Sequence, residues 1–173
     1  MPRYAAFLRG INVGGTRIAK DDLCAPFGAL GLEQVTTFRA SGNVIFDGPR
    51  ESATKLAKRI EERLAKDLGF TRAVTFIRTA AEMRALAEDN PIPREPGQKL
   101  HVMFCLKTPS ASVLEHATPT DPLVIGKKEL YWGPDGRMTD SQIDLKAIEK
   151  LIGPTTTRTK DTVDQIAARW FSA

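Results

Sequence analysis

Two glycine-bearing breaks set the strongest limit on how this chain can fold. The first, Arg9-Gly10-Ile11-Asn12-Val13-Gly14-Gly15, follows an apolar run at residues 4–8 and precedes a helix-like segment beginning near Lys20. The second, Ser41-Gly42-Asn43, separates strand-like runs at residues 35–40 and 44–46. A short apolar run bounded by a glycine loop reads as a strand covered on both faces. Gly-Asn is a recognised hairpin pair, so the second break reads as a tight turn. Between the two breaks, Asp21 and Asp22 suit the positive end of a helix dipole, and Leu23, Phe27 and Leu30 supply an apolar face closed by Gly31. Pro26 lacks a backbone donor, so this helix is expected to be short or bent.

Further along, Leu56, Ile60, Leu64 and Leu68 recur every four residues beside Ala53 and Ala57, the pattern of an amphipathic helix. Glu62 and Lys66 are spaced for an ion pair on its outer face, and Gly69 ends it. With a strand at residues 74–78, the first 78 residues read βαββαβ, the split βαβ or ferredoxin-like order. Thr79-Ala80-Ala81-Glu82 is a capping box for a helix ending near Asn90-Pro91. Pro91, Pro93, Pro96 and Gly97 make a stiff connector.

The order then repeats. A strand is expected at residues 100–106, a short helix at 110–117, and strands at 123–125 and 129–132. Leu145, Ile148, Leu151 and Ile152 mark a helix ended by Gly153-Pro154, followed by a strand at 155–157. Asp161 can cap a last helix carrying Val163, Ile166, Ala167 and Trp170. The expected fold is α+β, two ferredoxin-like βαββαβ halves in tandem with an extra C-terminal helix. The halves span residues 1–78 and 99–173, with a helix and Pro-rich connector at 79–98. The repeat is one of element order rather than of motif.

At 173 residues, 42% hydrophobic and 27% charged, the chain can build a core without disulfide or metal. Cys24 and Cys105 lie far apart in presumptive elements and read as reduced thiols in a reducing compartment. His101 and His116 form no ligand spacing with each other or with the cysteines, so no metal and no cofactor is expected. No apolar run reaches membrane-spanning length and no signal-peptide pattern opens the chain. A cytoplasmic protein without a membrane partner is expected. The net charge of +4 is mild, but residues 1–20 hold Arg3, Arg9, Arg17 and Lys20 and no acid.

In the ferredoxin-like order the first loop and the hairpin between strands two and three share one end of the sheet, and Arg72 enters at that end too. Backbone N–H groups and guanidinium together can hold phosphate or carboxylate. The candidate ligand-binding set is Arg9, Gly10, Asn12, Gly14, Gly15, Arg17, Ser41, Gly42 and Asn43. The competing reading is that the glycines only make turns, Ser41 and Asn43 satisfy backbone, and the arginines are solvated. P-loop, dinucleotide, serine-elbow and zinc-protease patterns are absent. Ser52-Ala53-Thr54-Lys55 matches S-x-x-K without its companion motifs. Phe7 and Phe46 lie on the strands that carry stacking aromatics in RNA-recognition sheets, but core packing is the expectation for both, as it is for Trp132 and Trp170.

Arg9-Gly-Ile-Asn-Val-Gly-Gly15 and then Ser41-Gly-Asn-Val-Ile-Phe46 resemble the domain-of-unknown-function family 1697, whose members carry R-G-I-N-V-G-G and S-G-N-V-x-F after a first strand. Leu100-His101-Val102 and Thr155-Thr-Thr-Arg158 look like further landmarks. The resemblance implies two ferredoxin-like halves in a mostly bacterial, soluble protein, and it implies no activity. Members commonly read T-T-R-N-W-N-T-V, where this chain has Thr159, Lys160 and Asp161 in place of the N-W-N residues. A Ser-Lys pair after the aspartate-glycine turn is replaced by residues of the stretch Arg137-Met138-Thr139-Asp140. The readings that follow are a binding module for a nucleotide or phosphorylated metabolite, a nucleic-acid binder using the basic N-terminal end, a transferase-type enzyme at the same site, and an assembly role. No residue is assigned to catalysis.

Overall fold

The apolar run becomes the central strand of a sheet. In chain order the first half holds β1 (Arg3–Arg9), α1 (Lys20–Ala29), β2 (Glu33–Thr37), β3 (Asn43–Asp47), α2 (Ala53–Leu68) and β4 (Val74–Thr79). Its strands lie in the order β2-β3-β1-β4, with β1 antiparallel to both neighbours. The computed structural model describes residues 1–11, 18–39 and 42–172. They fall into two compact units, Met1–Arg84 with Arg169–Ala173, and Ala85–Ala168.

Alternation along β1 explains its unbroken hydrophobicity. Tyr4, Ala6 and Leu8 join Phe27 of α1 and Leu56, Ile60 and Leu64 of α2 in one core. Ala5 and Phe7 point the other way and are buried as well. Each large side chain so buried contributes about 1.5–3 kcal/mol relative to exposure. Phe7 and Phe46 are fully buried, so neither offers a stacking face.

Local chemistry fixes the ends of the elements. Ser52 caps α2 by accepting from the Lys55 amide at 3.2 Å, so the S-x-x-K match is a helix start. An i,i+4 ion pair on α2 joins Arg63 and Asp67 at 2.7 Å, one position on from the expected Glu62–Lys66 pair. α1 runs ten residues with Pro26 inside it and buried. The β2–β3 hairpin is wider than the tight turn expected at residues 41–43. β2 ends at Thr37 and Asn43 already belongs to β3, leaving residues 38–42 as the connection.

The second half adds α3 (Ala80–Glu88), β5 (His101–Cys105), a 3₁₀ turn at Ala111–His116, β6 (Leu123–Ile125), β7 (Glu129–Trp132), α4 (Leu145–Ile152), β8 (Thr155–Thr159) and α5 (Lys160–Trp170). Its sheet order, β6-β7-β5-β8, matches the first. Met103, Cys105, Leu130 and Trp132 pack with Ile148 and Ile152 on the α4 side. Cys24 and Cys105 form no disulfide.

A motif does repeat, contrary to the sequence reading. β4 ends in Arg78-Thr79 and β8 in Arg158-Thr159. In each case the threonine hydroxyl caps the next helix, accepting from the Glu82 and Thr162 amides at 3.2 Å. Thr159, not Asp161, therefore starts α5. Both arginines are buried, and burial pushes the Arg158 guanidinium down to about 10.

Asp121 ties the second unit's sheet to its loops. Its carboxylate accepts from Trp132 Nε1 at 2.9 Å, Ser141 Oγ at 2.5 Å, Thr120 Oγ1 at 3.2 Å and Thr118 Oγ1 at 3.3 Å. Burial alone would raise this carboxyl, but the four donors hold it below the ordinary aspartate value. A depressed folded pKa means stability that is complete above the unfolded value near 4 and lost as pH falls through the folded one. Asp121→Ala should cost about 2–3 kcal/mol at neutral pH by stranding the Trp132 N–H. Urea denaturation should show that deficit shrinking below about pH 4; a deficit that does not change with pH would place the effect in packing.

Candidate functional site

Because β3 and β4 both run against β1, the end of β1, the start of β3 and the start of β4 meet at one rim. Phe7 pairs with Asn43 and Arg9 with Val74. The Leu8 amide donates to the Gly42 carbonyl at 2.9 Å. The flanks of both glycine-bearing breaks therefore share a rim, as the element order predicts, and Arg72 stands there too.

Contact between segments is close. Gly10 has φ +82°, and a Cβ built on it would lie 2.6 Å from the Arg72 carbonyl oxygen. At Gly42 a Cβ would meet Ile11 Cδ1 at 3.0 Å. Glycine is needed at Gly10 both for its backbone angle and for the missing side chain.

Beside this junction lies a cleft of about 360 Å³, lined by Ile18, Lys20, Leu23, Thr37, Arg39 and Gly42. That volume suits a small ligand. α1 supplies Lys20 and Leu23, the end of β2 supplies Thr37, and the hairpin loop supplies Arg39 and Gly42. Lys20 and Arg39 are exposed cations, while Ile18 and Leu23 give an apolar floor. Arg39 holds φ +59°, a left-handed conformation that costs a non-glycine residue roughly 1–2 kcal/mol. Ala19, the N-cap of α1, has no side chain to cap the helix, so the first-turn amides near Lys20 lack that partner. Asp21 and Asp22 stand in the same turn but do not line the cleft.

Of the nine residues singled out from sequence, Gly42 lines the cleft. Arg9 and Gly10 stand at the rim, with Arg9 exposed. Asn43 is buried and donates its side-chain amide to the Phe38 carbonyl at 2.9 Å, bracing the hairpin. Asn12, Gly14, Gly15, Arg17 and Ser41 lie outside the described residues. Sequence reasoning missed Lys20 and Arg39 as lining residues. Lys20 was visible as a helix start and as one cation of the basic first twenty residues, and Arg39 carried no signal beyond a charge next to a turn.

Cys24, next to Leu23, has its thiol pushed up by burial, which outweighs the nearby Lys20, so it is no activated nucleophile. Among the described residues no group of histidine, cysteine and carboxylate side chains is placed to hold a metal ion. None of the described helices is long and apolar enough to cross a membrane.

Residues 1–131 match the model of the family described as "Protein of unknown function (DUF1697)". The chain belongs to the DUF1697 family. A solved structure, that of the conserved bacterial protein SP0830 from Streptococcus pneumoniae, is similar at TM-score 0.74 and 24% identity, covering 96% of this chain and 97% of that one. That likeness supports the fold. No curated protein matches this chain. Both glycine-bearing breaks fall inside the DUF1697 match, whereas Lys160 lies beyond it.

Lys160 is fully buried. Its ammonium reaches Asp164 Oδ1 at 2.5 Å and the Ala87 carbonyl at 3.3 Å. A buried cation needs such partners, and here Asp164 and the carbonyl supply them.

The rim closure is open to a direct test. Gly10→Ala should destabilise by about 2–4 kcal/mol, combining the left-handed penalty with overpacking against a carbonyl. A loss under about 0.5 kcal/mol in chemical denaturation, the level of an ordinary surface change, would show that the rim is not closed at Gly10.

Proposed function

We propose that this protein binds a small anionic molecule, a nucleotide or phosphorylated metabolite, at the rim of the first sheet. One observation carries the reading: Lys20 and Arg39 flank a ligand-sized cleft beside the junction of the two glycine-bearing breaks. Arg39 keeps a costly backbone conformation there, and strain of that kind concentrates at binding and catalytic positions. The α1 amides near Lys20, without a side-chain cap, add oriented donors that favour negative charge. Arg9 and Arg72 at the same rim raise the local positive potential, and Arg17 is proposed to contribute from the glycine loop.

Binding is favoured over turnover. The described lining holds two cations and one hydroxyl, Thr37, but no carboxylate, imidazole or thiol to take a proton. The apolar floor of Ile18 and Leu23 excludes water from part of the cleft and strengthens its charge interactions.

Inorganic pyrophosphate is a suitable first probe, followed by calorimetry or thermal shift. Lys20→Ala and Arg39→Ala should each weaken binding by about 1.5–3 kcal/mol, a tenfold to hundredfold loss typical of charge-assisted bonds. Arg39→Gly should lose binding equally yet stay within about 1 kcal/mol of wild-type stability, because relief of the left-handed penalty offsets the added chain entropy. Unchanged affinity in both alanine variants would remove the cleft from consideration.

A further inference from the structure

The aromatic residues of this chain are mostly buried, but Phe38, Phe70 and Trp170 are only partly so, and Phe70 packs against the core. Phe38, in the hairpin connection, and Trp170, the last residue of α5, keep part of their surface in solvent. Their rings meet edge to face with centroids 5.6 Å apart. Arg39 lies over Phe38 with its guanidinium carbon 5.2 Å from the ring centroid, and Arg169 lies over Trp170 at 4.6 Å. The result is a row in the order Arg39, Phe38, Trp170, Arg169, with both arginines exposed.

Two arginine–aromatic pairs in a chain of this length are about what chance delivers. Their placement is what carries weight. They are contiguous, both belong to the first unit, and Arg39 also lines the cleft. One guanidinium thus stands between a cationic cleft and a cluster of flat, polarisable groups whose two rings meet at 76°. Guanidinium planes and aromatic rings are the surfaces on which proteins stack nucleobases. A phosphate held by Lys20 and Arg39 would put an attached base next to that row.

We infer that the ligand is a nucleoside phosphate, its phosphate in the cleft and its base stacked on the Arg39–Phe38–Trp170–Arg169 row. This rests on the anion-binding reading and narrows it to one chemical class. The same chemistry is presented by a mononucleotide and by single-stranded nucleic acid, and the test separates them.

The protein is titrated with inorganic phosphate, AMP and a ten-nucleotide oligoadenylate, reading affinity by calorimetry and tryptophan fluorescence. AMP should bind roughly tenfold to hundredfold tighter than phosphate, the range stacking of one base supplies. It should also quench Trp170. Trp170→Leu and, separately, Phe38→Leu should bring AMP down towards phosphate affinity while phosphate binding stays unchanged. The unchanged phosphate arm reports that each variant is folded at the rim. Oligoadenylate binding more than tenfold tighter than AMP, with a steep fall in salt, assigns the polymer; equal affinity assigns the free nucleotide. Equal affinity for AMP and phosphate overturns the inference and leaves the anion reading standing. No binding of phosphate or AMP overturns both.

Discussion

β1 is hydrogen-bonded on both sides to strands that run against it, and the first unit is arranged around those two ladders. Antiparallel pairing brings three chain segments to one rim: the exit of β1, the entry of β3 and the entry of β4. A slip of one residue in either ladder would turn Tyr4, Ala6 and Leu8 out of the core. Register is therefore held by burial, and the rim inherits that precision. The Leu8–Gly42 hydrogen bond and the approach of Gly10 to the Arg72 carbonyl are consequences of it.

The cleft beside the rim has a different character. Its described lining comes from the start of a helix, the end of an edge strand and residues flanking the hairpin turn. Asn43 restrains the connection from within, through its amide on the Phe38 carbonyl. That bond fixes the base of the loop bearing Arg39. Asn43 lies inside the DUF1697 match, and its side-chain amide is engaged in holding the loop.

The second unit uses the same order of elements with different chemistry. Asp121 gathers an indole and three hydroxyls around one carboxylate. Lys160 is fully buried, and Asp164 compensates its charge. Asp164 itself is 36% exposed, so removing Asp164 would strip a buried ammonium of its counter-charge, whereas removing Lys160 would leave a partly solvated carboxylate. The Arg-Thr ending common to β4 and β8 follows from geometry. One residue faces the sheet and the next, at the strand–helix junction, offers a hydroxyl to the first open amides.

The order of elements, the two antiparallel sheets and the shared rim were all legible in the residues. Hydrophobic period distinguishes strand from helix, as Leu56, Ile60 and Leu64 show, and glycine marks where direction changes. Side-chain destinations were not legible. Asn43, which reads either as a ligand group or as a brace for backbone, is buried against the Phe38 carbonyl; Asp161 reads as the cap that Thr159 supplies; nothing in the local sequence marked Lys160 as buried. Lys20, Arg39, Phe38 and Trp170 are scattered along the chain and share no pattern. Local sequence determines backbone states, because those depend on each residue and its near neighbours. Which side chains converge on one cleft depends on strand register and loop width, and those are settled only when distant segments pack.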